Sequence, residues 1–142
     1  MRTLINVRIP SSSRVSSDQH LWKIGVDENE KIVFIDLMSN GQLFNGEDWQ
    51  GDWLSPRGVD LQINGGLGIN FTELDIDKIP KIIYLLDQLW TDGVEAIAPT
   101  LVTCSLSSLR RSLEVLRLVR QEKANLRCKL LGAHLEGPFL SE

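Results

Sequence analysis

Residues 58–103 read GVDLQINGGLGINFTELDIDKIPKIIYLLDQLWTDGVEAIAPTLVT. Both ends of this stretch, GVDLQI and EAIAPTLVT, are short apolar runs suited to strands, and between them Ile79, Ile82, Ile83, Leu86, Leu89 and Trp90 recur at helical spacing. Asp75 or Asp77 can cap that helix. Pro80 is compatible with its first turn, where a backbone N–H has no partner to lose, and Gly93 ends it. Strand, helix and strand in this order predict a parallel pair joined by a right-handed crossover.

Toward the C-terminus the pattern repeats. Ser105 can cap a second helix whose apolar stripe is Leu106, Leu109, Leu113, Leu116 and Val119, with Arg110, Arg111, Arg117 and Arg120 facing water or the next layer. KLLGAHLE, residues 129–136, reads as a third strand. Strands at intervals of roughly 35 residues with one amphipathic helix between each pair predict an α/β fold with a parallel sheet.

Toward the N-terminus the pattern changes. TLINVRI, LWKIGVD and KIVFIDL are β-prone pieces separated by turn stretches such as PSSSRVSS and MSNGQ. Residues 1–56 are therefore expected to form a small β-rich domain, with Trp22, Trp49 and Trp53 in its core or its seam, and residues 57–142 the β-α-β-α-β domain.

A chain of 142 residues, 42% hydrophobic and 24% charged, can bury a core of its own. Its net charge of -4 argues against nucleic acid or an anionic membrane as the main partner. The first dozen residues hold no apolar stretch of a secretory leader, which leads to the expectation of a cytoplasmic protein. Cys104 and Cys128 lack CxxC spacing and read as reduced core thiols.

In a parallel sheet the carboxyl ends of the strands share one rim, where such folds place their chemistry. The first strand end offers Asp60, Gln62 and Asn64, which share a face if the strand stays regular. The second offers Thr100 and Thr103, and the third His134 and Glu136. A carboxylate at a strand end beside a Gly-Pro turn suits a divalent metal; capping of the loop, or pairing with an Arg, serves Glu136 equally well on spacing alone. His134 reads as a hydrogen-bonded core residue. Its H-x-E spacing is shared with zinc nucleobase deaminases, but the P-C-x-x-C segment those need is missing. NGGLG has neither G-x-G-x-x-G spacing nor a G-K-[ST] ending, so it reads as a sharp turn rather than a phosphate loop.

Three segments together, LSPRGVDLQINGG, GVEAIAPTLVT and LGAHLEGPFL, resemble the N-terminal part of N-acetylglucosamine-6-phosphate deacetylases of the amidohydrolase superfamily, from about Leu54 to the last residue. HLEGPFL is the most specific of the three. The resemblance implies a metal-bearing (β/α)8 TIM-type barrel preceded by a small β-sandwich lobe assembled from both ends of the chain. It also implies hydrolysis of the acetamide of N-acetylglucosamine 6-phosphate to glucosamine 6-phosphate and acetate, in amino-sugar metabolism. The Glu of HLEGP binds the catalytic divalent cation in that family, zinc or iron, which carries over to Glu136; the His of the motif is not a ligand. Where many amidohydrolases have D-x-H-x-H, this chain has Asp60, Gln62 and Asn64, and neutral amides are poor substitutes for imidazoles. The single-metal variety is therefore implied, with Gln62, Asn64 and His134 lining the pocket.

The family's catalytic Asp and its two His ligands belong to later strands, so no catalytic residue is expected among these 142. A barrel takes roughly 250 residues, and the chain is expected to be an N-terminal fragment of a homo-oligomeric enzyme. Alone it is expected to be inactive and poorly soluble or molten, because an open three-stranded sheet exposes edges and an apolar face. Two other readings stay open: another cyclic-amide hydrolase or deaminase of the superfamily, and a non-catalytic α/β remnant.

Overall fold

The β-prone pieces RTLINV and WKIGV form paired strands, as expected, with Leu4, Ile5, Val7 and Ile24 buried. The computed structural model describes residues 1–10, 20–39, 44–121 and 126–138, in two units, Met1–Pro56 and Arg57–Glu142. Residues 11–17 and 40–42 of the expected turns, and 139–140 of HLEGPFL, lie outside the described residues.

In the first unit, β1 (Arg2–Val7), β2 (Trp22–Val26), β3 (Ile32–Leu37) and β4 (Glu47–Asp48) make one sheet in the order β3-β2-β1-β4. β2 is antiparallel to both β1 and β3, and β4 is parallel to β1. The register slips between Leu4 and Val7, where Asn6 takes a left-handed φ of 56° that asparagine tolerates better than most residues. Its side-chain amide donates to Asp48 Oδ1 at 2.7 Å, tying the bulge to β4. That bond, with a second from Gln50 N, holds the Asp48 carboxyl below its ordinary range. Leu4, Val7 and Ile24 are buried, and Trp22 and Trp49 pack against them. Trp53 differs from its sisters: it is half-exposed, and the Arg8 guanidinium lies over its ring at 5.9 Å.

In the second unit, β5 (Gly58–Ile63) leads into a small hairpin, β6 (Gly65–Gly66) and β7 (Ile69–Asn70). Leu67 and Gly68 at its tip both have positive φ, 51° and 74°, as a two-residue type I′ turn requires. NGGLG is thus a hairpin, and a Cβ on Gly65 would collide with the Ile69 carbonyl oxygen. Two 3₁₀ turns, Phe71–Glu73 and Ile76–Lys78, precede α1 (Ile79–Thr91). After β8 (Val94–Val102) come α2 (Leu106–Gln121), β9 (Lys129–Leu130) and β10 (His134–Glu136). The sheet runs β10-β8-β5, with β9 also on β8, and every pair is parallel. The third predicted strand is thus split in two, although Leu131 N still reaches the Ile97 carbonyl at 3.0 Å.

Both helices lie over one face of β8. Ile82, Leu85 and Leu86 of α1 and Val115, Leu116 and Val119 of α2 share a core with Ile97 and Leu101. Full burial of each such side chain stabilises by about 1.5 to 3 kcal/mol. Local details depart from expectation in two places. Asp75 caps the 3₁₀ turn before α1, accepting from Ile76 N at 2.9 Å, and not α1 itself. In α2, Ser105 does cap, accepting from Ser108 N at 3.2 Å, but the buried stripe is rotated: Ser112 and Val115 are inside while Leu106 is 60% exposed. The reason is polar. Ser112 Oγ donates to Thr72 O and accepts from Leu74 N, at 3.0 and 3.1 Å, so a buried serine pins the first 3₁₀ turn to the helix. Cys128 is buried, and burial pushes its thiol up; Cys104 is half-buried.

Candidate functional site: the strand-end rim

β10 is three residues long, and its register on β8 pairs His134 with Thr100, Leu135 with Leu101 and Glu136 with Val102. Directly paired residues of neighbouring strands point to the same face, so His134 and Thr100 meet on one side of the sheet. Thr100 is fully buried, and its Oγ lies 3.2 Å from His134 Nδ1. Two residues on, the half-buried Glu136 carboxylate accepts from the Gln62 side-chain amide, Nε2 to Oε2, at 3.2 Å. The residues that bond are 74 positions apart in sequence and come from the two outer strands of the sheet. Thr103 donates through Oγ to the Glu136 backbone carbonyl at 3.3 Å, which ties the end of β10 to the end of β8. Gly137 follows with φ +111°, and a Cβ there would run into the Thr103 side chain.

The first strand end does not act as a unit. The register of β5 on β8 slips between Asp60 and Ile63, and the Asp60 carboxylate turns back to accept from Gln62 N at 3.0 Å. The condition for Asp60, Gln62 and Asn64 to share a face, a regular strand, is therefore not met. Gln62 alone of the three bonds to Glu136; Asn64 is exposed, and its carbonyl receives Phe71 N at 3.0 Å.

Two supporting residues had no signature in the spacing. Thr72 Oγ accepts from Val102 N at 3.1 Å, and Thr72 O receives Ser112, so the last residue of β8 is held through Thr72 to α2. The one available sign was a serine set among leucines and valines of a helical stripe.

A cavity of about 220 Å³ opens beside the rim, lined by Thr103, Cys104, Leu135, Glu136, Gly137 and Pro138 among others. Among the described residues no group of three or more His, Cys, Asp or Glu is placed to hold a metal ion. Glu136 fits as one oxygen ligand, since Gln62 engages Oε2 and leaves Oε1 outside that bond. It does not make a site by itself.

An N-acetylglucosamine-6-phosphate deacetylase of Caenorhabditis elegans is 33% identical over 129 residues, 87% of this chain and 29% of that protein. The chain is homologous to the N-acetylglucosamine-6-phosphate deacetylases. The deacetylase of Danio rerio is 28% identical over 97% of the chain and 33% of its own length. Among solved structures, the deacetylase of Pasteurella multocida superposes with a TM-score of 0.56 at 25% identity, over 99% of this chain and 35% of that one. These relatives are hydrolases, and the mixed α/β fold corresponds to the N-terminal part of their structures. No family model matches the chain. The chain spans about a third of the length of the deacetylases it matches.

Proposed function

We propose that this chain is the metal-carboxylate portion of an N-acetylglucosamine-6-phosphate deacetylase, whose barrel and β-sandwich are completed by residues corresponding to the remaining two thirds of its relatives. The observation that carries the reading is the pairing of Gln62 with Glu136 across the sheet, in a chain whose relatives bear that enzyme's name. Glu136 would hold one divalent cation, zinc or iron, at Oε1, while Gln62 keeps the carboxylate from rotating and Thr103 fixes its backbone. Such a cation, when bound, supplies polarisation of the acetamide carbonyl and acidification of water. The chain's own residues position: Gly137 lets β10 turn away beside Thr103. The proton-transferring Asp and the two His ligands would come from later strands. A cytoplasmic homo-oligomer acting on a small amino-sugar phosphate is the setting proposed.

A second reading, open on the sequence, takes the 142 residues as a non-catalytic remnant. One experiment separates the two. The coding frame is read past Glu142 to its stop, the product is expressed, and acetate release from N-acetylglucosamine 6-phosphate is measured with zinc or iron supplied. The first reading expects turnover that Glu136→Gln lowers by at least about 100-fold and Gln62→Ala by about 10- to 100-fold. A stop codon directly after Glu142, or a longer product that releases no acetate, supports the second.

A further inference from the structure

Thr72, in the 3₁₀ turn after the small hairpin, is only 6% exposed and is held from two sides. Its backbone N–H donates to the Asn70 side chain, Oδ1, at 3.0 Å, and its carbonyl accepts from the buried Ser112 Oγ of α2 at 3.0 Å. Anchored at both backbone polar groups, it presents its hydroxyl at a fixed place. That oxygen accepts from Val102 N, the last residue of β8, at 3.1 Å. Chemistry fixes the direction of all three bonds, since the two amides can only donate and the Thr72 carbonyl can only accept. The end of β8 in turn carries Glu136. Val102 is its register partner, and Thr103 Oγ donates to the Glu136 carbonyl at 3.3 Å. Among the described residues β10 pairs with β8 alone, and Gly137, at φ +111°, follows its last residue.

We infer that Thr72 is a positioning residue for the Glu136 carboxylate, acting through the end of β8. Gln62 restrains that carboxylate from β5, on the far side of β8, at 3.2 Å. The bond keeps its length only while β5 and β10 keep their places on β8, and Thr72 is the side chain that ties the last N–H of β8 to the helix layer. The consequence falls on metal binding. A metal–oxygen distance stays within about 0.2 Å of its ideal, so a carboxylate on a loosened strand end binds more weakly. Groups that orient a metal ligand directly carry about 10- to 100-fold in affinity, and Thr72, one step further out, is expected to carry about 10-fold. The effect on metal affinity rests on the deacetylase reading of the rim; the positioning of Glu136 does not.

The test uses the product of the complete coding frame. Thr72→Val removes the hydroxyl at nearly constant shape, and Thr72→Ser keeps it. Val119→Ala is the control, because it truncates a fully buried side chain of α2 that takes part in none of these bonds. Two quantities are read: zinc affinity, by competition with a chromogenic chelator, and the Gln62 side-chain NH₂ signals in metal-free protein, by proton–nitrogen correlation. Thr72→Val is expected to weaken zinc binding by about 10-fold and to move the Gln62 signals toward those of a free amide. Thr72→Ser is expected to restore both, and Val119→Ala to lower the urea midpoint while leaving both unchanged. Unmoved Gln62 signals in Thr72→Val overturn the inference, as does parental zinc affinity in a protein that binds zinc, a failure of Thr72→Ser to restore, or an equal loss in Val119→Ala. If Thr72→Val does not fold, the test passes to Asn70→Ala, an exposed position that loosens the same anchor, and unmoved Gln62 signals there overturn it. A parent that binds no zinc removes the deacetylase reading alone, since the Gln62 signals still decide whether Thr72 positions Glu136.

Discussion

β3 and β8 are both apolar runs, IVFIDL and VEAIAPTLV, yet they meet opposite fates. β8 has neighbours on both edges and two helices on one face, and Ile97, Thr100 and Leu101 are at most 1% exposed. β3 stands at the edge of its sheet among the described residues, and Ile32, Val33, Ile35 and Leu37 are each about half-exposed, 47 to 53%. Strand-forming composition therefore says that a segment pairs, not that it is covered. Coverage depends on what the rest of the chain lays over it.

The sharpest way to break this contrast is a matched truncation. Ile97→Ala is expected to cost about 2 to 5 kcal/mol, from lost transfer energy plus the cavity left behind. Ile35→Ala is expected to stay within about 0.5 kcal/mol. Urea unfolding of both proteins measures the difference, and equal losses would mean that β3 is covered after all.

Next in size is the polar clamp that lets β8 end where it does. Ser112→Ala removes the partner of both Thr72 O and Leu74 N, two groups inside the second unit, and is expected to cost about 2 kcal/mol or more. Hydrogen exchange should then rise at Leu74 before it rises in β1 or β2. Unchanged protection at Leu74 would show that water replaces the serine without loss.

A smaller effect is expected at the edge itself. Val33→Lys and Ile35→Lys together should leave stability within about 1 kcal/mol while lowering self-association, because charge on an edge strand discourages pairing with another copy. Sedimentation velocity reads this directly; a chain that associates as before places its sticky surface elsewhere.

The smallest expected effect is electrostatic. On α2, hydrogen bonding to Arg117 holds the Glu114 carboxyl below its ordinary value of 4.5. The folded value is the lower one, so this contribution is present above about pH 4.5 and is lost as pH falls through the folded pKa. Both groups are solvent-exposed, and Arg117→Gln should therefore flatten the acid limb of stability only slightly. Urea midpoints at pH 7 and pH 3 compare the two proteins, and an identical acid loss in the variant would exclude the pair as its source.

Some parts of this structure were readable from residue spacing because they depend on neighbours in sequence. The two helices, the cap at Ser105, the first-turn proline of α1 and the β-α-β order arise from local periodicity and local hydrogen bonds. The rotation of the α2 stripe was not readable, since Ser112 is drawn inward by Thr72 and Leu74, far away along the chain. The same holds for the β5 slip that separates Asp60 from Gln62: a bulge answers to the partner strand and to an Asp60 side chain that bonds its own backbone.

At the rim, the residue types alone named the candidates. Gln62, Asn64, His134 and Glu136 stand at strand ends because apolar runs stop there, and HLEGP marks the family resemblance. Only the tertiary fold decided which of them meet. Register on β8 put Thr100 beside His134, sheet order brought Gln62 to Glu136, and Asn64 was left facing solvent. Periodicity is a property of successive residues and survives in the bare sequence. Register and sheet order are set by contacts between segments tens of residues apart, where the closing of long loops and the burial of shared apolar surface choose among arrangements that local preference leaves equal.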